Sequence, residues 1–181
     1  YFEKYELVNT KPSYKLNSPD YKIGYAAYNR SDYATALRHF RPLANRGNFD
    51  AQFEAARWYR KAAEWGHAKA QNPLGDMYRW GWGVTKDHKE AVKWYRRAAN
   101  QGNMTAQGNL GYMYANGKGV RQDHVMAYVW YSVAAANGHH PATHRLPKAL
   151  AKLNASERKL ALKLSKLCLD KPASCPEYSD D

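Results

Sequence analysis

Apolar positions through the middle of the chain recur with a helical period. Ala70, Leu74, Met77 and Tyr78 fall at i, i+4, i+7 and i+8, which is one face of a helix. A glycine-punctuated stretch, Gly81-Trp82-Gly83-Val84, interrupts the rhythm, and it resumes with Ala91, Trp94, Tyr95 and Ala98. The same order returns at a constant offset of 36 residues, so that 70–102 aligns with 106–138. Leu74 pairs with Leu110, Gly75 with Gly111, Tyr78 with Tyr114, Trp94 with Trp130 and Tyr95 with Tyr131.

Each copy therefore predicts a first helix, a loop and a second helix. The loop glycines can take positive φ after the first helix ends, with Val84 or Val120 expected to drop back into the core. Asp87 and Asp123 suit the N-cap of the second helix. Gly75 and Gly111 allow the two helices to approach closely, and the aromatics fill the remaining space. Pro73 lies inside the predicted first helix, early enough by this reading to cost little.

The two copies stand as PLGDMYRWGWGVTKDHKEAVKWYRRAANQG and NLGYMYANGKGVRQDHVMAYVWYSVAAANG. They resemble the Sel-one-like repeat family, relatives of the tetratricopeptide repeats. The resemblance implies an all-α fold, a right-handed α/α solenoid of helix-turn-helix repeats closed by capping helices.

The chain divides on this basis into an extended N-terminal arm (1–18), a tetratricopeptide-like hairpin (19–46), a shortened repeat (47–66), two repeats (67–102 and 103–139), capping helices (140–170) and an extended tail (171–181). In the hairpin, Gly24, Ala27, Tyr33, Ala36, Leu37 and Phe40 keep the expected rhythm. In the shortened repeat, Ala51 precedes Ala55 by four residues where Ala70 precedes Ala91 by 21, a shortfall of 17. The repeat is either naturally short, and then one continuous helix, or lacks a segment, which its well-matched flanks favour. The cap is expected to hold two helices, the second N-capped near Asn154 or Ser156 with Glu157 in its first turn.

Charge adds a constraint on partners. The chain has 28 Lys and Arg against 16 Asp and Glu, a formal charge of +12, and should attract acidic surfaces. Arg57, Arg60, Lys61, Lys89, Lys93, Arg96 and Arg97 fall mostly on second helices and read as a solvated outer face. No groove-reading element accompanies them, so nucleic acid is not expected as a partner. No apolar run is long enough to span a bilayer.

The only cysteines, Cys168 and Cys175, are seven apart, and a disulfide is favoured over two free thiols. Such a bond would form in an oxidising compartment. A chain that starts at Tyr1 and not at Met is consistent with a removed signal peptide, so a periplasmic or otherwise exported location is expected.

No nucleophile with a base, no paired carboxylates, no phosphate loop and no metal-ligand spacing is visible, so neither catalysis nor a cofactor or metal is expected. Removing the core positions from the first helices leaves a ladder on the face expected to be concave: Asn72, Asp76, Arg79 and Trp80, then Tyr112 and Asn116, then His144 and Lys148. Trp82 in the loop joins them, opposite Lys118 of the next copy. Large aromatics at non-core positions are good interface anchors.

The resemblance implies a scaffold, adaptor or inhibitor of another protein, monomeric when free. One such role is a periplasmic immunity protein that neutralises a type VI secreted lipase or phospholipase toxin through its acidic surface. A regulatory scaffold in signalling or the envelope is the alternative. A β-lactamase-like enzyme is a further one, disfavoured because the disulfide-rich relatives linked to that activity carry a cysteine pair in each repeat.

Overall fold

The computed structural model describes residues 19–30, 32, 35, 38–39, 42 and 49–176. They contain α1 (Pro19–Asn29), α2 (Phe49–Glu64), α3 (Ala68–Trp80), α4 (His88–Asn100), α5 (Met104–Asn116), α6 (His124–Ala136), α7 (His140–Thr143), α8 (Leu146–Leu150) and α9 (Ala155–Asp170). The fold is an all-α solenoid of helix pairs, with no strand among the described residues. Two compact units, 1–58 and 59–181, divide within α2.

In the first unit α1 buries Gly24 and Ala27, and the chain turns where the Asp32 amide donates to the Ala27 carbonyl. The Asp32 carboxylate accepts from the Thr35 amide at 3.1 Å, and its hydrogen bonds with Thr35 hold it below the usual carboxylate range. The other expected hairpin positions, Tyr33, Ala36, Leu37 and Phe40, and the arm 1–18 lie outside the described residues. So do residues 177–181 of the tail.

The second unit follows the expected pairing, α3 with α4, α5 with α6, and α4 with α5 between the repeats. Ala70, Leu74, Met77, Tyr78, Ala91, Trp94, Tyr95 and Ala98 are buried, as are their counterparts 36 residues on. Burying each large apolar side chain stabilises the fold by about 1.5–3 kcal/mol. Gly75 and Gly111 make the close approach: a Cβ at either position would stand about 2.6–2.7 Å from the ring of Tyr95 or Tyr131.

Each first helix ends on a left-handed glycine, Gly81 (φ 77°) or Gly117 (φ 60°), whose amide returns to the carbonyl of Met77 or Met113. The loop is then tied by the amide of Asp87 to Tyr78, and of Asp123 to Tyr114. The same aspartates cap the second helices, Asp87 accepting from Lys89 and Glu90, Asp123 from Met126. Val84 and Val120 are only part-buried, because these ties leave the loop on the rim and not in the core.

Buried Gln71 and Gln107 lock each pair to the one before it. Their amides donate to the Ala63 and Ala99 carbonyls, and their side-chain oxygens accept from Gln101 and Asn137.

Pro73 is the sixth residue of α3, deeper than its first turn, so the helix forgoes one amide hydrogen bond yet continues to Trp80. Through the shortened repeat, α2 runs unbroken from Phe49 to Glu64. The first cap helix is divided into α7 and α8, because Pro141 and Pro147 each restart a helix at its first turn. Asn154 forms a full capping box with Glu157 at the start of α9, which packs on α6.

Cys168 and Cys175 are joined in a buried disulfide. It closes a 3-10 turn over Pro172–Ser174, so the start of the tail is not extended. The Arg96 guanidinium anchors this end by donating to the Pro176 carbonyl at 3.4 Å.

Candidate functional site

The first-helix ladder is not uniform in the second unit. At the junction of α3 and α5 the Asp76 carboxylate is satisfied internally. It accepts from the Tyr95 hydroxyl at 2.7 Å and from the amides of Asn72 and Asn109 at 3.4 Å. Burial, and then the Asp76 charge, push the Tyr95 phenol well up, so it remains a donor. Asn72 is only 8% exposed and also accepts from Asn109 at 3.1 Å. Asn72 and Asp76 therefore brace the repeat junction; as exposed rungs they are corrected.

Next to this junction lies a row of alternating rings and cations. Trp82 and Trp80, 44% and 52% exposed, stack with centroids 6.2 Å apart. The Arg79 guanidinium lies 4.7 Å from the Trp80 ring and 4.2 Å from that of Tyr112, and donates to the Asn109 side chain at 3.4 Å. Such contacts contribute on the order of 0.5–1 kcal/mol each where exposed, and they fix the rings in place.

Tyr112 takes two more cations. Lys118 donates to its hydroxyl at 3.1 Å, and Arg145 lies 5.7 Å from both its ring and the Tyr131 ring. The Lys118 hydrogen bond draws the Tyr112 phenol below its usual value, whereas burial raises Tyr131.

Beside Tyr112, between α5, α6 and α8, opens a cavity of about 270 Å³. Asn116, Lys148 and Lys152 stand at it as exposed residues, with His124 and Arg145. The Asn116 amide donates to the Tyr112 carbonyl at 2.8 Å. His144 is exposed but does not line the cavity.

The structure thus brings Arg79, Trp80, Trp82 and Tyr112 together, sets Asn116 and Lys148 at the cavity, and engages buried Asn72 and half-buried Asp76 in the repeat junction. Arg145 and Lys118 were not singled out from the sequence. The signal lay in the offset of 36, since Arg145 stands where Asn109 does and Lys118 where Trp82 does.

Two second-helix arginines are also not merely solvated: Arg60 and Arg96 each lie over a tyrosine ring, Tyr78 and Tyr114, and donate to its hydroxyl. Among the described residues no group of three or more His, Cys, Asp or Glu could hold a metal ion, and no helix is long and apolar enough to cross a membrane.

Comparison with known proteins accords with this architecture. The Sel1 repeat model matches residues 52–67, 68–103 and 105–139. No protein among those of curated function matches the chain. The crystal structure of a protective antigen present in uropathogenic Escherichia coli strains, displaying an SLR fold, is similar at 29% identity with a TM-score of 0.64. That similarity covers 82% of this chain but only 37% of the antigen's length. A Sel1 repeat protein from Oxalobacter formigenes is 39% identical with a TM-score of 0.50, over 62% of this chain and 98% of that one. The chain belongs to the Sel1 repeat family.

Proposed function

We propose that this chain is an exported, non-catalytic inhibitor that grips the acidic surface of another protein, in the manner of an immunity protein paired with a type VI secreted lipase or phospholipase. Sel1 repeat proteins typically mediate protein–protein interaction and are generally non-catalytic scaffolds, which supplies the class of role. The observation that carries the finer reading is the row Trp82–Trp80–Arg79–Tyr112, in which two exposed tryptophans stack and Arg79 lies against both Trp80 and the half-buried Tyr112. Rigid aromatics beside arginine are the residue types that dominate binding energy at protein interfaces. The positive charge favours an acidic partner.

The buried disulfide supports a periplasmic location, since such bonds persist in oxidising compartments. The description of the similar Escherichia coli protein as a protective antigen accords with export.

The test is co-purification with the product of the neighbouring gene. Wild-type chain should retain it, and Arg79→Glu and Trp80→Ala should each weaken capture by about tenfold or more, the scale of an interface anchor. Capture that both variants leave unchanged would sink the reading.

A further inference from the structure

We propose that the cavity between α5, α6 and α8 is a socket for a single acidic side chain, aspartate or glutamate, presented by the protein partner. This rests on the protein-binding reading above and specifies one anchor the partner must carry. Comparing the two junctions of the second unit leads to it. Where α3 meets α5, the chain supplies its own carboxylate: Asp76 receives the Tyr95 hydroxyl and Asn109. Where α5 meets the cap, the tyrosine is kept as Tyr131 but the groups around it have changed. Tyr112 replaces Asp76, Arg145 replaces Asn109, and Lys148 and Lys152 stand 36 residues after Tyr112 and Asn116. An internal acid has been lost and cations gained.

Among the described residues the gained charges have no internal counter-ion. No carboxylate lines the cavity, and among the described residues Arg145, Lys148 and Lys152 make no ion pair. Like charges gathered without an acid repel one another, and a carboxylate placed among them relieves that cost.

The Arg145 fork is held by the rings of Tyr112 and Tyr131, which lowers the entropy lost when it meets a carboxylate. Beneath the cations the walls are apolar, formed by Ala115, Ala127 and Ala149. They suit the short methylene stem of an acidic side chain. At about 270 Å³ the cavity is below the size of most small-molecule sites, and fits one anchoring side chain.

The experiment needs no partner. The full chain, labelled with nitrogen-15, is titrated with N-acetyl-glutamate N-methylamide and, in parallel, with its neutral glutamine counterpart. Saturable shifts are expected at the amides of Tyr112, Ala115, Ala127 and Ala149 with the glutamate probe alone, with a Kd on the order of millimolar. Lys148→Gln with Lys152→Gln, both exposed and away from the packing, should weaken it about tenfold.

The absence of saturation, or equal shifts from the glutamine probe, would overturn the socket. Inorganic phosphate that binds the same amides more tightly than the glutamate probe would overturn its assignment to a side-chain carboxylate. Failure here with partner capture still dependent on Arg79 and Trp80 removes the socket alone. Capture that ignores those two residues removes the protein-binding reading whatever the titration shows.

Discussion

The two full repeats share their cores and differ at their first-helix faces. Leu74 and Leu110, Tyr78 and Tyr114, Trp94 and Trp130 are buried in parallel, and even the bracing Gln71 and Gln107 make the same bonds. On the face, Asp76 becomes Tyr112 and Trp82 becomes Lys118. The first repeat consequently ends in a satisfied carboxylate and a stacked tryptophan pair, the second in a tyrosine ringed by cations. In a solenoid each pair must fit its neighbours through the core, so the core is constrained to repeat while the solvent face is free to vary. Recognition is accordingly sought where the period breaks.

The core half of this comparison is broken most directly by truncation. Trp130→Ala and Trp94→Ala should each destabilise the protein by about 3–5 kcal/mol in urea denaturation. Trp130, fully buried where Trp94 is 7% exposed, should be the costlier. If one substitution proves nearly neutral, the two cores are not equivalent.

The faces should respond differently. Asp76→Ala strands the Tyr95 hydroxyl and the Asn72 and Asn109 amides, and should cost about 1–3 kcal/mol. Tyr112→Ala removes part-exposed cation–ring contacts and should cost about 1 kcal/mol or less. Its larger effect should appear in partner capture. A reversed ranking in thermal melts would show that Tyr112 and not Asp76 holds the junction.

The smallest effect concerns pH. His139 stands where the second repeat has Asn103, a helix cap that accepts from the Ala106 amide. The His139 ring instead lies over Gly108, where a Cβ would come within 2.5 Å of it, and its buried Nδ1 has no partner among the described residues. Burial, then Arg145 and His140, hold its pKa below the ordinary 6.5. The unfolded chain therefore binds the proton more readily. Stability should be full above about pH 6.5, fall as pH drops through that value, and level off below the folded pKa. His139→Asn should flatten this acid limb in melts recorded between about pH 5 and 8. A residual slope of the same sign is expected from His88, which burial, Lys86 and Lys118 also depress. An acid limb that His139→Asn leaves unaltered would assign the effect elsewhere.

The sequence by itself determined the repeat, its core and its caps. Each depends on residues close along the chain: the apolar period of Ala70 to Tyr78, the glycine stops at Gly81 and Gly117, and the aspartates that bond amides two or three residues on. The disulfide was legible too, since seven residues from the end of a helix allow Cys175 to return to Cys168. Exposure on the ladder was not. Asn72 and Asp76 look like free rungs until Asn109 and Tyr95, one from the next repeat and one from the second helix, reach them.

The cavity was equally hidden, because Arg145 and the lysines of the cap meet Tyr112 only when α8 folds back onto α5 and α6. A period along the chain fixes which residues face inward. Which outward residues are already spoken for depends on distances across repeats, and only the tertiary structure decided those.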